Sequence, residues 1–150
     1  MSKRATITSL DTLVRVRSTE VERLQTALAK KEATRARYQT SVERLTALAE
    51  GSGPSGQTAG ARPLSPALAM NCGNYKQAVF ALADTHRTDL QLHEADMAVA
   101  QTNLTQAWTR RELLGKVLEQ HEAAYARAEE RTQRKREDEI ATQSWLAKNA

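Results

Sequence analysis

Two apolar stripes with alternating steps of three and four residues, one on each side of a single glycine-rich break, constrain this chain more than anything else in it. The first stripe runs through Leu10, Val14, Val21, Leu24, Leu28, Tyr38, Val42, Leu45 and Ala49. The second begins at Val79, Ala83, His86 and Leu90 and continues through His93, Met97, Ala100, Leu104, Ala107, Arg111, Leu114, Leu118, His121 and Tyr125 to Ala128. Between them lies Gly51-Ser-Gly-Pro-Ser-Gly56. Two long amphipathic helices joined by one flexible turn hide their seams by folding back on each other. The expected fold is therefore all-α, an antiparallel two-helix coiled-coil hairpin forming a single domain over residues 1–150. Such a hairpin offers no catalytic cleft, so its function is expected to reside in surfaces and helix ends.

Composition agrees with this and excludes a wide globular core. Of 150 residues, 40% are apolar and only 4% aromatic, with Phe80 the single phenylalanine. Helix formers dominate, and the charged fraction is 27%, as in exposed helix. Lysine and arginine total 22 against 18 acids. An excess of +4 spread through mixed-sign runs is weak evidence for nucleic-acid binding. Cys72 is the lone cysteine, so no intrachain disulfide can form and a reducing compartment is expected. No apolar run approaches the about 20 residues that cross a bilayer. Asp11 and Arg15 also interrupt any signal-like start. The expectation is a cytoplasmic protein without direct membrane insertion, reaching a membrane only through partners.

The spacing Thr8-Ser-Leu-Asp11 fits a capping box and predicts a first helix over about 8–50. Arg17, Lys31 and Arg35 fall on its stripe. Their stems can cover apolar surface while their heads reach water, so the seam should be thin and partly wet. A flexible tip is expected over 51–73. Within it, Ser65-Pro66 has the form of an N-cap followed by proline at the first helical position, starting a short turn that Gly73 interrupts. The second helix is expected over about 74–147. Folding about the tip pairs Leu10 with the neighbourhood of Glu119 and leaves about 30 residues projecting. Within that projection Arg127 to Glu139 is almost wholly charged, with acid–base neighbours three and four apart that keep it helical without packing. It closes with Ile140, Trp145 and Leu146, apolar residues with nothing to cover them and so candidates for docking.

Catalytic and metal motifs fail on inspection. His121-Glu-Ala-Ala-Tyr125 and His93-Glu-Ala-Asp-Met97 each lack the second histidine of a zinc-protease helix. His86, His93 and His121 lie too far apart to share a metal on one helix and read as seam residues. The glycines at 51–60 lack the lysine of a phosphate-binding loop. The carboxylates Glu129, Glu130, Glu137, Asp138 and Glu139 have no cleft to shift their pKa values. Trp108, beside the stripe, reads as a flank residue shielding the seam. Gly115 costs about 1 kcal/mol of helix propensity and reads as a tolerated small residue. No catalytic residue, metal site or cofactor is expected.

Three stretches carry a family resemblance. They are Ser9-Leu-Asp-Thr-Leu-Val-Arg-Val-Arg17, Asn74-Tyr75-Lys-Gln, and Arg110-Arg-Glu-Leu-Leu114 with the closing Arg131 to Trp145, which includes Arg134-Lys-Arg-Glu-Asp-Glu-Ile140. With the short first helix and long second one, the chain resembles the FliJ family of flagellar type III export proteins, which are similar to the YscO proteins of injectisomes. The resemblance implies a non-enzymatic stalk. Its paired ends would enter the hexameric export ATPase, with Leu10, Leu13, Val14, Arg134, Ile140 and Trp145 as contacts. The region after the tip would meet the cytoplasmic domain of an FlhA-like export gate. There the family places an aromatic and then a leucine. Ala78 stands in place of the aromatic, Leu82 keeps the leucine, and Phe80 lies between them on another face. Export chaperones are further implied partners, and peripheral association with the inner membrane would follow from the export apparatus.

Three alternatives stay open at this point. They are the equivalent injectisome stalk, a coiled-coil scaffold that dimerises through its seam, and a nucleic-acid binder using Arg131, Arg134, Lys135 and Arg136. The interleaved acids Glu129, Glu130 and Glu137 to Glu139 oppose the last.

Overall fold

The computed structural model describes residues 2–51 and 65–149, and among them there are two helices and no strand. Helix α1 spans Lys3–Gly51 and α2 spans Pro66–Asn149, 49 and 84 residues long. The fold is all-α, with the second helix the longer, as the stripes imply. Threonines are numerous but do not break these helices. Thr12, Thr40, Thr85, Thr102 and Thr132 each donate their hydroxyl to the carbonyl four residues earlier, which satisfies the polar group within the helix.

Helix starts differ from those read off the sequence. Thr8 does not cap α1. Its hydroxyl donates to the carbonyl of Arg4 at 3.0 Å inside the helix, and the first turn is closed earlier by the Thr6 amide on the carbonyl of Ser2 at 3.2 Å. The second start has the chemistry anticipated for Ser65-Pro66. Ser65 accepts the Leu68 amide on its hydroxyl at 3.3 Å and the Ala69 amide on its carbonyl at 3.0 Å. Helix α2 then runs on through Gly73 without interruption, so residues 66–73 are helix rather than tip. One glycine costs about 1 kcal/mol, and a long helix absorbs that. The glycine-rich turn itself falls on residues 52–64, outside the described residues.

Contacts gather the described chain into two compact units. Unit 1 joins α1 up to Arg23 with α2 from Leu104 onward, and unit 2 joins α1 from Leu24 with α2 up to Asn103. In unit 2 the helices are antiparallel. Lys31 pairs with Asp96, Arg35 Nε donates to Glu94 at 3.1 Å, and Arg87 donates to Thr46 Oγ1 at 3.0 Å. Rising numbers on one helix thus meet falling numbers on the other. In unit 1 the same sense holds, with Arg111 Nε on Ser18 Oγ at 3.2 Å and Lys3 lying beside Ala128 and Gln133.

The core is a thin seam. Val21 and Ala107 are buried in unit 1, and Ala49, Val79 and Ala83 in unit 2. No large side chain is fully buried among the described residues. The basic residues on the first stripe behave as their stems suggest. Arg17 reaches Glu20 at 2.8 Å, and Lys31 and Arg35 reach carboxylates on α2. Charge at the seam is therefore paired at its rim rather than buried.

Candidate functional site

Two exposed apolar surfaces stand out, one in each unit. In unit 2, Leu68, Tyr75 and Leu82 recur every seven residues on α2, with Ala78 between the last two at steps of three and four. That spacing places all four on one face, and all four are exposed. Leu48 on α1, also exposed, lies in the same stretch by the register that Arg87 and Thr46 set. Leu82 and Ala78 thus share a face. Phe80 is half-buried and turned away from it, because two residues along a helix is about 200° of rotation. Sequence reading missed Leu68 because residues 51–73 were assigned to a flexible tip, and it gave Leu48 and Tyr75, both inside the expected helices, no part in a site. A seven-residue spacing beside the main stripe was the available signal.

Further along α2, unit 2 carries an aromatic and imidazole cluster. The Tyr38 ring lies 6.2 Å from that of His86 and 6.0 Å from that of His93. His93 Nε2 is 2.7 Å from the carbonyl oxygen of Lys31, while the buried Nδ1 of His86 has no hydrogen-bond partner. These two histidines line the seam as expected. His121 does not: it is exposed in unit 1. No group of three metal-binding side chains occurs among the described residues.

The surface in unit 1 is the end of α2. Every described residue after Ala128 is exposed, and Lys3, where α1 begins, lies beside residues up to Arg136. Beyond that point no described residue of α1 lies alongside α2. Local pairs hold the stretch that leads into this end: Tyr125 donates to Glu129 Oε1 at 2.7 Å, Gln133 donates to Glu137 at 3.0 Å, and Arg134 pairs with Glu130. Each is an i,i+4 contact of the kind that supports isolated helix. Ile140 and Trp145 are 63% and 65% exposed, and Leu146 is exposed beside them. Five residues of helix is about 140° of rotation, so Ile140 and Trp145 do not share a face. Together with Leu146 they surround the helix end. At the start of α1, Leu10 and Val14 are half-buried and Leu13 is exposed.

One open groove of about 420 Å³ forms in unit 1, lined by Lys3, Tyr125, Glu129, Gln133 and Arg136 among others. Hydrogen bonding to Glu129 raises the Tyr125 phenol above its ordinary pKa, so this hydroxyl gives up its proton less readily than a free one. Elsewhere Arg17 holds the Glu20 carboxyl below its ordinary value, and Lys31 does the same for Asp96. These are ion-pair effects at the seam's rim.

Among the described residues no helix is long and apolar enough to cross a membrane. Comparison with known proteins found no match among curated proteins or solved structures. The model of the family described as "Flagellar FliJ protein" matches residues 6–150, nearly the whole chain. With two helices of the expected inequality and that match, the chain belongs to the FliJ family, whose members are non-catalytic components of flagellar type III protein export.

Proposed function

We propose that this protein is the non-enzymatic central stalk of the flagellar export machinery, promoting assembly and activity of a hexameric export ATPase and coupling it to the export gate and to chaperones. The observation that carries the reading is the unpartnered end of α2. A helix that stays ordered through its own i,i+4 pairs and presents Ile140, Trp145 and Leu146 at different angles suits a channel that encloses it. A groove on one side would need those residues on one face. The start of α1, with Leu10, Leu13 and Val14, completes the ATPase-facing surface, and Arg134 supplies charge beside Glu130. In unit 2 the exposed face with Ala78 and Leu82 is the gate-facing surface. Leu48, Leu68 and Tyr75 extend it, and Phe80 supports it from behind. The protein then sits in the cytoplasm, held at the inner membrane through the gate.

The test is ATP hydrolysis by the cognate export ATPase titrated with the full chain, with ring formation followed by negative-stain microscopy. Stimulation and a filled ring centre are expected. The double substitution Ile140→Ser, Trp145→Ser should weaken both while leaving helix content unchanged. Full stimulation by the double variant would remove those residues from the ATPase surface. Absence of any stimulation by the parent chain would overturn the stalk reading.

A further inference from the structure

One flank of unit 1 is apolar and uncharged over several turns. Leu13 and Val16 lie three apart on α1, and Leu113 and Val117 four apart on α2, so each pair shares a helix face. The Arg111–Ser18 hydrogen bond fixes the antiparallel register in which these pairs run alongside one another. Arg17 chiefly, then Arg23 and Arg110, hold the Glu20 carboxyl below its ordinary value, which sets Arg110 on the Glu20 side of the hairpin. All four apolar side chains are exposed, Val16 and Leu113 to 59% each. The flank continues past them without a charge, through Ser9 on α1 and Gln120 and Ala124 on α2. Its two ends are cationic. Exposed Arg23 and Arg110 border one, where Glu20 is already engaged by Arg17, and exposed Arg127 and Arg131 border the other.

We propose that this flank is a docking groove for an amphipathic helix of a partner protein, one whose apolar stripe is bounded at both ends by carboxylates. Two antiparallel rows of apolar side chains leave a furrow of the kind that accepts a helix through anchors at steps of three and four. The bordering arginines select acidic ends and fix the register of the bound helix. A second copy of the chain does not suit the flank. Four half-exposed side chains amount to on the order of 300 Å², against the roughly 800 Å² per partner of a standard interface. Two-fold self-pairing in the antiparallel sense would also set Arg110 of one copy against Arg127 of the other, an unfavourable like-charge contact. Leu13 is shared with the surface assigned to the ATPase, whereas Leu113 and Val117 belong neither to that surface nor to the gate's, so substitutions at those two test the groove separately from the stalk reading.

Two synthetic helical peptides test the proposal, both with leucines at steps of three and four, one ending in glutamates and its twin in lysines. Fluorescence anisotropy with the full chain should show saturable binding of the glutamate peptide, about tenfold tighter than its twin. Combining Leu113→Gln with Val117→Gln should weaken that binding about tenfold with helix content unchanged. Should those variants lose helix, the pair Arg110→Glu, Arg127→Glu decides instead, and it should reverse the preference between the peptides. No saturable binding, equal affinity for both peptides, or indifference to the charge reversal would overturn the proposal. So would sedimentation showing a dimer that Leu113→Gln and Val117→Gln dissolve, since the occupant would then be a second copy.

Discussion

In unit 2 the two helices are joined by side chains that reach across: Lys31 to Asp96, Arg35 to Glu94, Arg87 to Thr46, and Tyr38 between His86 and His93. Unit 1 has a cross-helix bond in Arg111–Ser18, but its largest exposed stretch, α2 after Ala128, is supported by contacts along a single helix. The difference separates two ways of keeping a thin-seamed helix ordered. Cross-helix pairs fix which residue faces which, and they fail together if the helices part. Pairs along one helix fix no register and survive without a partner, so a segment held by them is free to meet one.

Substitution at the unit 2 seam should break the comparison most severely. Ala83 is wholly buried, so Ala83→Asp would place a carboxylate inside the seam. A loss of about 3 kcal/mol or more is expected. A circular-dichroism melt would check it, and a midpoint within a degree or two of the parent would show the seam to be looser than its burial implies. Next in size is Tyr38→Ala, which empties the space between two imidazoles. It should cost about 3 kcal/mol if the ring is fully packed and less in proportion to its partial exposure. Denaturant unfolding measures that loss.

Two glycines sharpen the contrast by testing both units alike. A methyl group added at Gly73 in unit 2 or at Gly115 in unit 1 would meet nothing within 4 Å. Gly73→Ala and Gly115→Ala should each stabilise the chain by up to about 1 kcal/mol through helix propensity alone. A destabilised Gly115→Ala variant would reveal that this position must bend.

Acid should act on unit 2 through Asp96. The Lys31 hydrogen bond holds its carboxyl below the ordinary aspartate value. A lowered folded pKa means that the contribution is present above the unfolded-state pKa and is lost as pH falls through the folded one. Melts recorded below about pH 4 should therefore show a decline that Asp96→Asn flattens, a small effect because the pair is exposed. Smallest of all is Glu130→Gln in unit 1. It removes the partner of Arg134 and should cost only a few tenths of a kcal/mol. Hydrogen exchange along 125–140 would register it as slightly faster, and a large acceleration would mean that one pair holds the whole end.

Periodicity made the two helices, their antiparallel pairing and the solvated end of α2 legible before any coordinates, because steps of three and four admit few other arrangements. Boundaries were less legible. Thr8 reads as a cap by its spacing to Asp11, yet the helix closes at Ser2, since local spacing cannot tell a first turn from a second one. Gly73 reads as a breaker, yet α2 passes through it. That choice hid Leu68, and with it the first turn of the apolar face around Leu82. His121 sits at a seam spacing but is exposed, because a stripe records the angle of a side chain and not whether anything lies opposite.

By itself, then, the sequence determined what each helix could do alone: the inequality of the helices, the paired charges after Ala128, the absence of any motif for catalysis, and the kinship that the match over 6–150 bears out. Only the tertiary structure decided which residues answer one another across the seam. Lys31 with Asp96, the ring of Tyr38 between two histidines, and the joining of Leu13 and Val16 with Leu113 and Val117 on one flank all depend on register. Register is a property of two helices at once, set by the sum of many small cross-helix contacts, so no single stretch of chain contains it.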